Sequence, residues 1–178
     1  KIVANNIQIE VEDTGGDGTP VLLIMGLGMQ LVAWPPQMVE GLAAAGLRVI
    51  RFDNRDIGLS QYFDQLGVPN MLWATMKYKL GLPIHAPYSL HDMALDALGV
   101  LDALGIERAH VIGASMGGMI AQRVALAAPK RVLSLHSIMS SSGARGLPSA
   151  RPEVLRALFS RPMGSGLDPV ISHYVKLF

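Results

Sequence analysis

Residues 110–118 read His-Val-Ile-Gly-Ala-Ser-Met-Gly-Gly, and they carry the strongest indication of the fold of the chain. An apolar strand pattern runs up to Ser115, and a helical pattern that Pro129 ends begins directly after it. Gly113 and Gly117 stand two positions to either side of the serine, where residues without side chains let strand and helix approach closely. A serine at such a turn must take a strained backbone conformation, which projects its hydroxyl clear of the sheet. The stretch therefore predicts a nucleophilic serine, and an ordinary turn serine is the alternative.

The rest of the chain alternates between short apolar runs and longer amphipathic stretches. The apolar runs are rich in leucine and β-branched residues, which is typical of strands covered on both faces, and they lie at 21–25, 47–52, 109–112 and 132–138. Helical spacing of apolar residues predicts helices over 37–45, 90–104 and 116–128. Strands and helices in alternation predict an α/β fold with a parallel sheet.

Two local patterns add detail to this prediction. Ser89 and Asp92 have the spacing of a capping box at the start of the helix over 90–104, and Gly105 follows its end. Polar and apolar residues alternate with period two over 7–12, which predicts one further strand at an edge.

The composition describes a globular chain of single-domain size. It has 178 residues, of which 50% are hydrophobic and 16% are charged. The 15 Lys+Arg and 14 Asp+Glu give a formal net charge of +1, which offers no electrostatic footprint for nucleic acid. The absence of cysteine excludes disulfides, cysteine-based zinc sites and thiol nucleophiles. No histidine has the spacing of a metal site, and we expect neither a metal nor a cofactor.

One uncharged stretch raises the question of a membrane span. Residues 21–39 carry no charge, but glycines and prolines interrupt them, so a buried strand followed by a loop is favoured. Residues 1–6 lack the apolar core of a signal peptide. We therefore expect a soluble, cytoplasmic protein with no membrane partner.

The serine turn resembles the nucleophile elbow of the α/β-hydrolase family, in particular of its bacterial esterase-like and methylesterase-like members. Residues 21–28 stand where that family has a strand followed by its oxyanion loop. Residues 53–60, Asp-Asn-Arg-Asp-Ile-Gly-Leu-Ser, are similar to the family pattern Asp-x-Arg-Gly-x-Gly-x-Ser, with Asp56 in place of one glycine. We interpret Asp53 and Arg55 as holding this loop by an ion pair and turn hydrogen bonds, in preference to a substrate role. The resemblance implies a mostly parallel central sheet flanked by helices.

The resemblance also implies the parts of an active site. Ser115 would be the nucleophile, and the backbone amides of Leu27 and Met116 would stabilise an oxyanion. The positive end of the following helix would support the second of these amides. The apolar surroundings favour an uncharged, fairly apolar ester as substrate, and the residues expected to border its pocket are Gly26, Gly28, Trp34 and Trp73. Core packing is the alternative role for Trp73.

The other members of a catalytic triad are not visible in the sequence. In the family the acid and the histidine follow later strands, whereas this chain stops after the strand at 132–138 and a lid-like stretch. We therefore expect the N-terminal portion of a longer hydrolase, with the C-terminal strands absent from this chain. Residues 1–143 are expected to form part of its core, with 61–88 as an apolar excursion, and 144–178 are expected to begin a lid or cap.

Two functions stay open at this point. The first is a serine hydrolase that cleaves carboxylic esters through an acyl-enzyme on Ser115, with the acid and the histidine supplied from outside this sequence. Lactonases, perhydrolases and hydrolases of carbon–carbon bonds are not excluded, and His85 or His173 is a disfavoured alternative base. The second function is that of a truncated or degenerate hydrolase-like domain, which binds or associates without turnover.

Overall fold

The computed structural model describes residues 1–67, 70–84, 86–144, 146–147, 151–160 and 166–175. The chain divides into two compact units, residues 1–142 and residues 143–178. The boundary expected from the sequence lies one residue further on, and the interpretation of the second unit as the start of a lid stays a prediction.

The first unit begins with four strands, and helices are then interspersed among the remaining three strands. The strands are β1 (Ile2–Ala4), β2 (Ile7–Ile9), β3 (Val11–Asp13), β4 (Thr19–Ile24), β5 (Leu47–Phe52), β6 (Ala109–Ala114) and β7 (Val132–Ile138). The helices are α1 (Pro36–Ala44), α2 (Met71–Lys79), α3 (Leu90–Ala103) and α4 (Met116–Ala127). The second unit contains α5 (Pro152–Phe159) and α6 (Leu167–Val175). Among the described residues, no helix combines the length and the apolar character needed to cross a bilayer.

Strands β3 to β7 form one sheet in the order β3-β5-β4-β6-β7. β3 runs antiparallel to β5, and all other neighbours in this sheet are parallel. Leu22, Leu23 and Ile24 of the central strand β4 are fully buried because helices cover both faces there. α3 and α4 pack on one face and α1 packs on the other. The mostly parallel sheet flanked by helices that the sequence predicts is confirmed.

The alternating stretch over 7–12 is divided between two sheets, and its prediction as one strand is wrong. β2 pairs with β1 in a separate antiparallel hairpin, whereas β3 pairs with β5. Glu10 lies at the crossing, where its N–H donates to Ser60 Oγ (2.9 Å) and its carbonyl accepts the Asp53 N–H (3.0 Å). These two bonds satisfy the N–H and the carbonyl of Glu10, which take no part in strand pairing.

Helix α3 begins at the capping box that the sequence predicts. Ser89 Oγ accepts hydrogen bonds from the N–H groups of His91 (3.2 Å) and Asp92 (3.3 Å), and the Asp92 carboxylate accepts the Ser89 N–H (2.7 Å). Hydrogen bonds from Ser89 hold the pKa of Asp92 below its usual value. Gly105 takes φ +65° just beyond the helix, the left-handed conformation that commonly ends helices.

The edge strand β7 generates a prediction for the 178-residue chain. Leu133 and Leu135 are 37% and 39% exposed, and the described part of the sheet ends at this strand. Because an unpaired apolar edge is a template for another chain, we expect self-association in sedimentation velocity runs at rising concentration. Leu135→Lys should shift the chain towards monomer, whereas Leu126→Lys, at an 82% exposed leucine on α4, should not. A monomer at every concentration contradicts the prediction.

Candidate active site

Ser115 lies at the turn between β6 and α4, at the carboxyl edge of the parallel strands. Its backbone has φ +55° and ψ −121°, so it is neither helical nor extended, as the sequence predicts. This conformation is strained for a residue that carries a side chain. The Ser115 N–H donates to the Ile138 carbonyl (2.9 Å), and its carbonyl accepts the Gly118 N–H (3.0 Å). The strained residue is thus anchored through its backbone, and it is exposed to solvent.

The two glycines beside Ser115 stand where no side chain fits. A Cβ atom on Gly113 would lie 2.2 Å from the Gly117 carbonyl oxygen. A Cβ atom on Gly117 would lie 2.0 Å from the carbonyl oxygen of Ile24, the last residue of β4. Both distances are far inside van der Waals contact with rigid backbone. The close approach of β4, β6 and α4 therefore requires glycine at both positions.

The loop after β4 passes directly beside the serine. A Cβ atom on Gly26 would lie 3.1 Å from Ser115 Cβ and 3.6 Å from its Oγ, so a side chain at position 26 would press against the serine. The loop then turns through Leu27 and Gly28, closed by a bond from the Met29 N–H to the Gly26 carbonyl (3.4 Å). Gly28 takes φ +71°, which a type II turn requires at its third residue.

The three groups that the sequence predicts for acyl transfer, the Ser115 hydroxyl and the amides of Leu27 and Met116, belong to segments that meet at this turn. The Leu27 amide follows Gly26, whose Cβ position would lie against Ser115. Met116 is the first residue of α4, and the first N–H groups of a helix have no partner within it. The partial positive charge at this helix end favours an anion near the serine. The arrangement suits an oxyanion, and the donor roles of Leu27 and Met116 stay predictions.

The two tryptophans lie in different surroundings. Trp34 is buried in the core on the α1 face of the sheet, together with Leu23 and Met25. Its indole N–H has no hydrogen-bond partner within the described residues. Trp73 lies on α2 and is 55% exposed, with the Lys77 ammonium 5.9 Å from the centre of its ring. Substrate contact by either tryptophan stays a prediction.

The loop after β5 is held differently from the sequence interpretation. Arg55 does form an ion pair, but its partner is Asp96 of α3, with Nε–Oδ2 and Nη2–Oδ1 distances of 2.6 and 2.7 Å. Both side chains are buried. Burial alone would lower the pKa of Arg55, but the Asp96 carboxylate outweighs it and raises that pKa above the usual value. The sequence does contain a signal for this partner, because Asp96 lies on the same buried side of α3 as Met93 and Ala97.

A hydrogen bond between Tyr88 and Asp56 also stabilises the loop after β5. Asp56 takes φ +61°, the conformation expected where the family pattern has glycine. Its carboxylate accepts hydrogen bonds from Tyr88 Oη (2.5 Å) and the Phe63 N–H (2.7 Å). Burial, together with the carboxylate of Asp56, raises the pKa of Tyr88 to about 12. Tyr88 is therefore protonated at neutral pH and does not act as a base there.

The two histidines that the sequence offers as alternative bases, His85 and His173, stay predictions. His85 lies outside the described residues, and so does the side chain of His173. His110 and His136 lie within hydrogen-bond distance of Ser134 Oγ (2.7 and 3.0 Å). No group of three metal-ligating side chains occurs among the residues that the structure describes.

The serine turn, the glycine contacts and the parallel sheet agree with a known family. A family model of the alpha/beta hydrolase fold matches residues 19–163. The chain belongs to the α/β-hydrolase family. The resemblance read from residues 21–28, 53–60 and 110–118 is thereby confirmed.

Individual relatives within the family differ in their reactions. Rhodomycin D methylesterase DauP from Streptomyces sp. (strain C5) is 42% identical over 116 residues, which cover 65% of this chain and 33% of DauP. The 2-hydroxy-6-oxononadienedioate/2-hydroxy-6-oxononatrienedioate hydrolase of Paraburkholderia xenovorans (strain LB400) is 30% identical over 178 residues, covering 95% of this chain and 54% of that protein. The chain thus spans about a third to a half of the length of these curated relatives.

A solved structure shows the same fold. The 2-hydroxy-6-oxo-6-phenylhexa-2,4-dienoate hydrolase from Rhodococcus sp. strain RHA1 matches with a TM-score of 0.69 and 22% identity. The match covers 99% of this chain and 56% of the other. At this identity the likeness concerns the fold alone.

The contacts of Gly117 yield a direct prediction. Gly117→Ala places a methyl group against the Ile24 carbonyl, and we expect it to lower the free energy of unfolding by about 3 kcal/mol or more. Gly41→Ala is the matched control, because Gly41 lies in α1 with open space around its Cβ position. That control should raise the free energy of unfolding by about 0.5–1 kcal/mol. Urea unfolding followed by circular dichroism measures both, and equal effects would refute the packing at the elbow.

Proposed function

We propose that the natural protein is a serine hydrolase that cleaves carboxylic esters through an acyl-enzyme on Ser115. The observation that carries this proposal is the exposed serine with φ +55° and ψ −121° at the head of α4, in contact with the loop after β4. An ordinary turn serine does not need a strained backbone, nor glycines at positions 113 and 117. A nucleophile does, because its hydroxyl must stand clear of the sheet.

The reaction follows from these positions. Ser115 Oγ attacks the ester carbonyl carbon and gives its proton to a base, while the carbonyl π electrons move to the oxygen. The amides of Leu27 and Met116 stabilise the resulting oxyanion. When the tetrahedral intermediate collapses, the alcohol leaves with a proton and the acyl group stays on Ser115. Water then hydrolyses the acyl-enzyme by the same steps, which regenerates the serine.

The base and its orienting acid are proposed to come from residues beyond this sequence. In the family they follow later strands than those present here. The substrate is proposed to be a small, uncharged and fairly apolar ester. The methylesterase activity in the name of DauP, at 42% identity, supports an ester over other acyl substrates, and the exposed apolar side chain of Leu27 beside the serine supports an apolar one.

The second candidate is a hydrolase-like domain that binds without turnover. One observation favours it: no imidazole within the described residues forms a hydrogen bond with Ser115. The imidazoles of His110 and His136 lie near a different serine, Ser134. Activity of the natural protein separates the two candidates.

Covalent labelling tests the proposed nucleophile. A fluorophosphonate should label the natural protein, expressed from its complete coding sequence, on the tryptic peptide 109–123, in which Ser115 is the single serine. Ser115→Ala should abolish both the label and ester hydrolysis, because no other group replaces the attacking oxygen. The matched control is Ser134→Ala, which removes a serine flanked by two imidazoles and should leave both unchanged. Labelling that survives in Ser115→Ala refutes the proposal.

The same reagent tests where the base lies. The 178-residue chain alone should label much more slowly than the natural protein, since a serine hydroxyl is a poor nucleophile without a base. Weak residual ester cleavage is compatible with this, because a site without its triad retains about 10³–10⁴-fold over water. Rapid, stoichiometric labelling of Ser115 in the short chain would place the base within these residues.

A further inference from the structure

The loop that carries the Leu27 amide is held at both ends by two consecutive side chains. At its start, Asn54 Nδ2 donates a hydrogen bond to the Met25 carbonyl (2.9 Å). At its end, the Leu31 N–H donates to Asp53 Oδ1 (2.6 Å). All the atoms involved in these two bonds are buried. Two adjacent residues thus fix both ends of the loop over 25–31.

The sheet explains why these side chains reach the loop. β4 and β5 are parallel neighbours in which Ile24 pairs with Phe52, so both strands end at the same level. Asp53 and Asn54 are the first residues after β5, and Met25 is the first after β4. The two loops therefore leave the sheet side by side.

Asp53 is itself held rigidly. Its second carboxylate oxygen accepts the Leu59 N–H (3.0 Å), and its carbonyl accepts a hydrogen bond from Ser60 Oγ (2.6 Å). A Cβ atom on Gly58 would lie 2.0 Å from this carboxylate, so the loop after β5 is wrapped closely around it. A carboxylate with a backbone N–H on each oxygen has little freedom to move, and it fixes the Leu31 end of the neighbouring loop.

Between the two anchored ends, the loop has little support of its own. The bond within the turn, from the Met29 N–H to the Gly26 carbonyl, is long at 3.4 Å. Leu27 is 54% exposed, and Gly28 has open space around its Cβ position. The Leu27 amide is therefore placed by the two ends of the loop, where Met25 and Leu31 are buried and where the two hydrogen bonds lie.

We infer that Asp53 and Asn54 are positioning residues of the oxyanion site, which act through the backbone of the loop over 25–31. The inference rests on the proposed function, in which the Leu27 amide stabilises the oxyanion. Amide donors are effective because they are already placed where charge develops, and loss of one donor costs about 10²–10³-fold in rate. A donor that is loosened but still present should cost less, about 10–100-fold in kcat.

Kinetics of variants of the natural protein test this inference. Asn54→Ala removes the bond to Met25, and Asp53→Asn keeps the shape of the side chain but turns an amide donor towards one of two backbone N–H groups. We expect kcat per active site to fall about 10–100-fold in both, with KM for a methyl or p-nitrophenyl ester changed less than about twofold. Affinity for a trifluoromethyl ketone, which forms a tetrahedral adduct, should fall in parallel with kcat.

The matched control is Asp96→Asn, which changes another carboxylate that is buried and hydrogen-bonded but does not contact the loop. Active sites are counted by end-point fluorophosphonate labelling, below the melting temperature of each variant. A purely structural role lowers the number of sites and leaves kcat per site unchanged, which we expect for Asp96→Asn. Should Asp53→Asn not fold, Asn54→Ala and the milder Asn54→Ser decide the question.

The outcomes are distinct. In the first outcome, the Asn54 variants are labelled on Ser115, and their kcat per site and ketone affinity are unchanged. This result overturns the positioning role and leaves the proposed function standing. An equal loss of kcat per site in Asp96→Asn also overturns it, since any buried change would then have the effect. An unlabelled Ser115 in the unsubstituted natural protein overturns the proposed function and this inference together.

Discussion

Three backbone segments meet at Ser115 with no side chain between them, and the rest of the site depends on this contact. Gly117 of α4 lies against the end of β4, Gly113 of β6 lies against α4, and Gly26 lies against the serine itself. Packed backbone of this kind is not compressible, so the three segments have one relative arrangement. The strained conformation of Ser115 persists because its surroundings leave no alternative. The position of Ser115 at the start of α4, next to Gly26, is therefore a consequence of packing.

The buried polar and charged side chains are concentrated in the loop after β5 and its partner on α3. The buried polar and charged residues of the described chain are Asp53, Asn54, Arg55, Ser60 and Asp96. Four of them belong to the loop after β5, and each has a hydrogen-bond partner. A satisfied buried network of this kind is rigid, and each unmade bond would carry the full desolvation cost. The network thus holds the loop after β5 in place, and Asp53 and Asn54 are the members that also bond to the loop over 25–31.

The parts of the fold that sequence predicts are those fixed by neighbours in the chain. The turn at Ser115 is visible because strand spacing changes to helical spacing across two glycines, and the capping box of α3 needs three residues of context. The ion pair of Arg55 was predicted in kind but not in partner, because Asp96 lies 41 positions away on α3. The crossing at Glu10 depends on bonds to residues 53 and 60, which no local pattern contains. The bonds of Asn54 and Asp53 to the loop after β4 could not be predicted for the same reason, since each joins a side chain to the backbone of a loop that is distant in the sequence.

The most direct measurement is detection of the acyl-enzyme itself. The natural protein would be mixed with an excess of an activated ester, quenched in acid within the first turnover, digested with trypsin and examined by mass spectrometry. The mechanism predicts the mass of the acyl group on the peptide 109–123, with fragment ions that place it on Ser115. The mechanism would be contradicted if the ester were hydrolysed at full rate while this peptide stayed unmodified at every quench time. An acyl group on another residue would also contradict it.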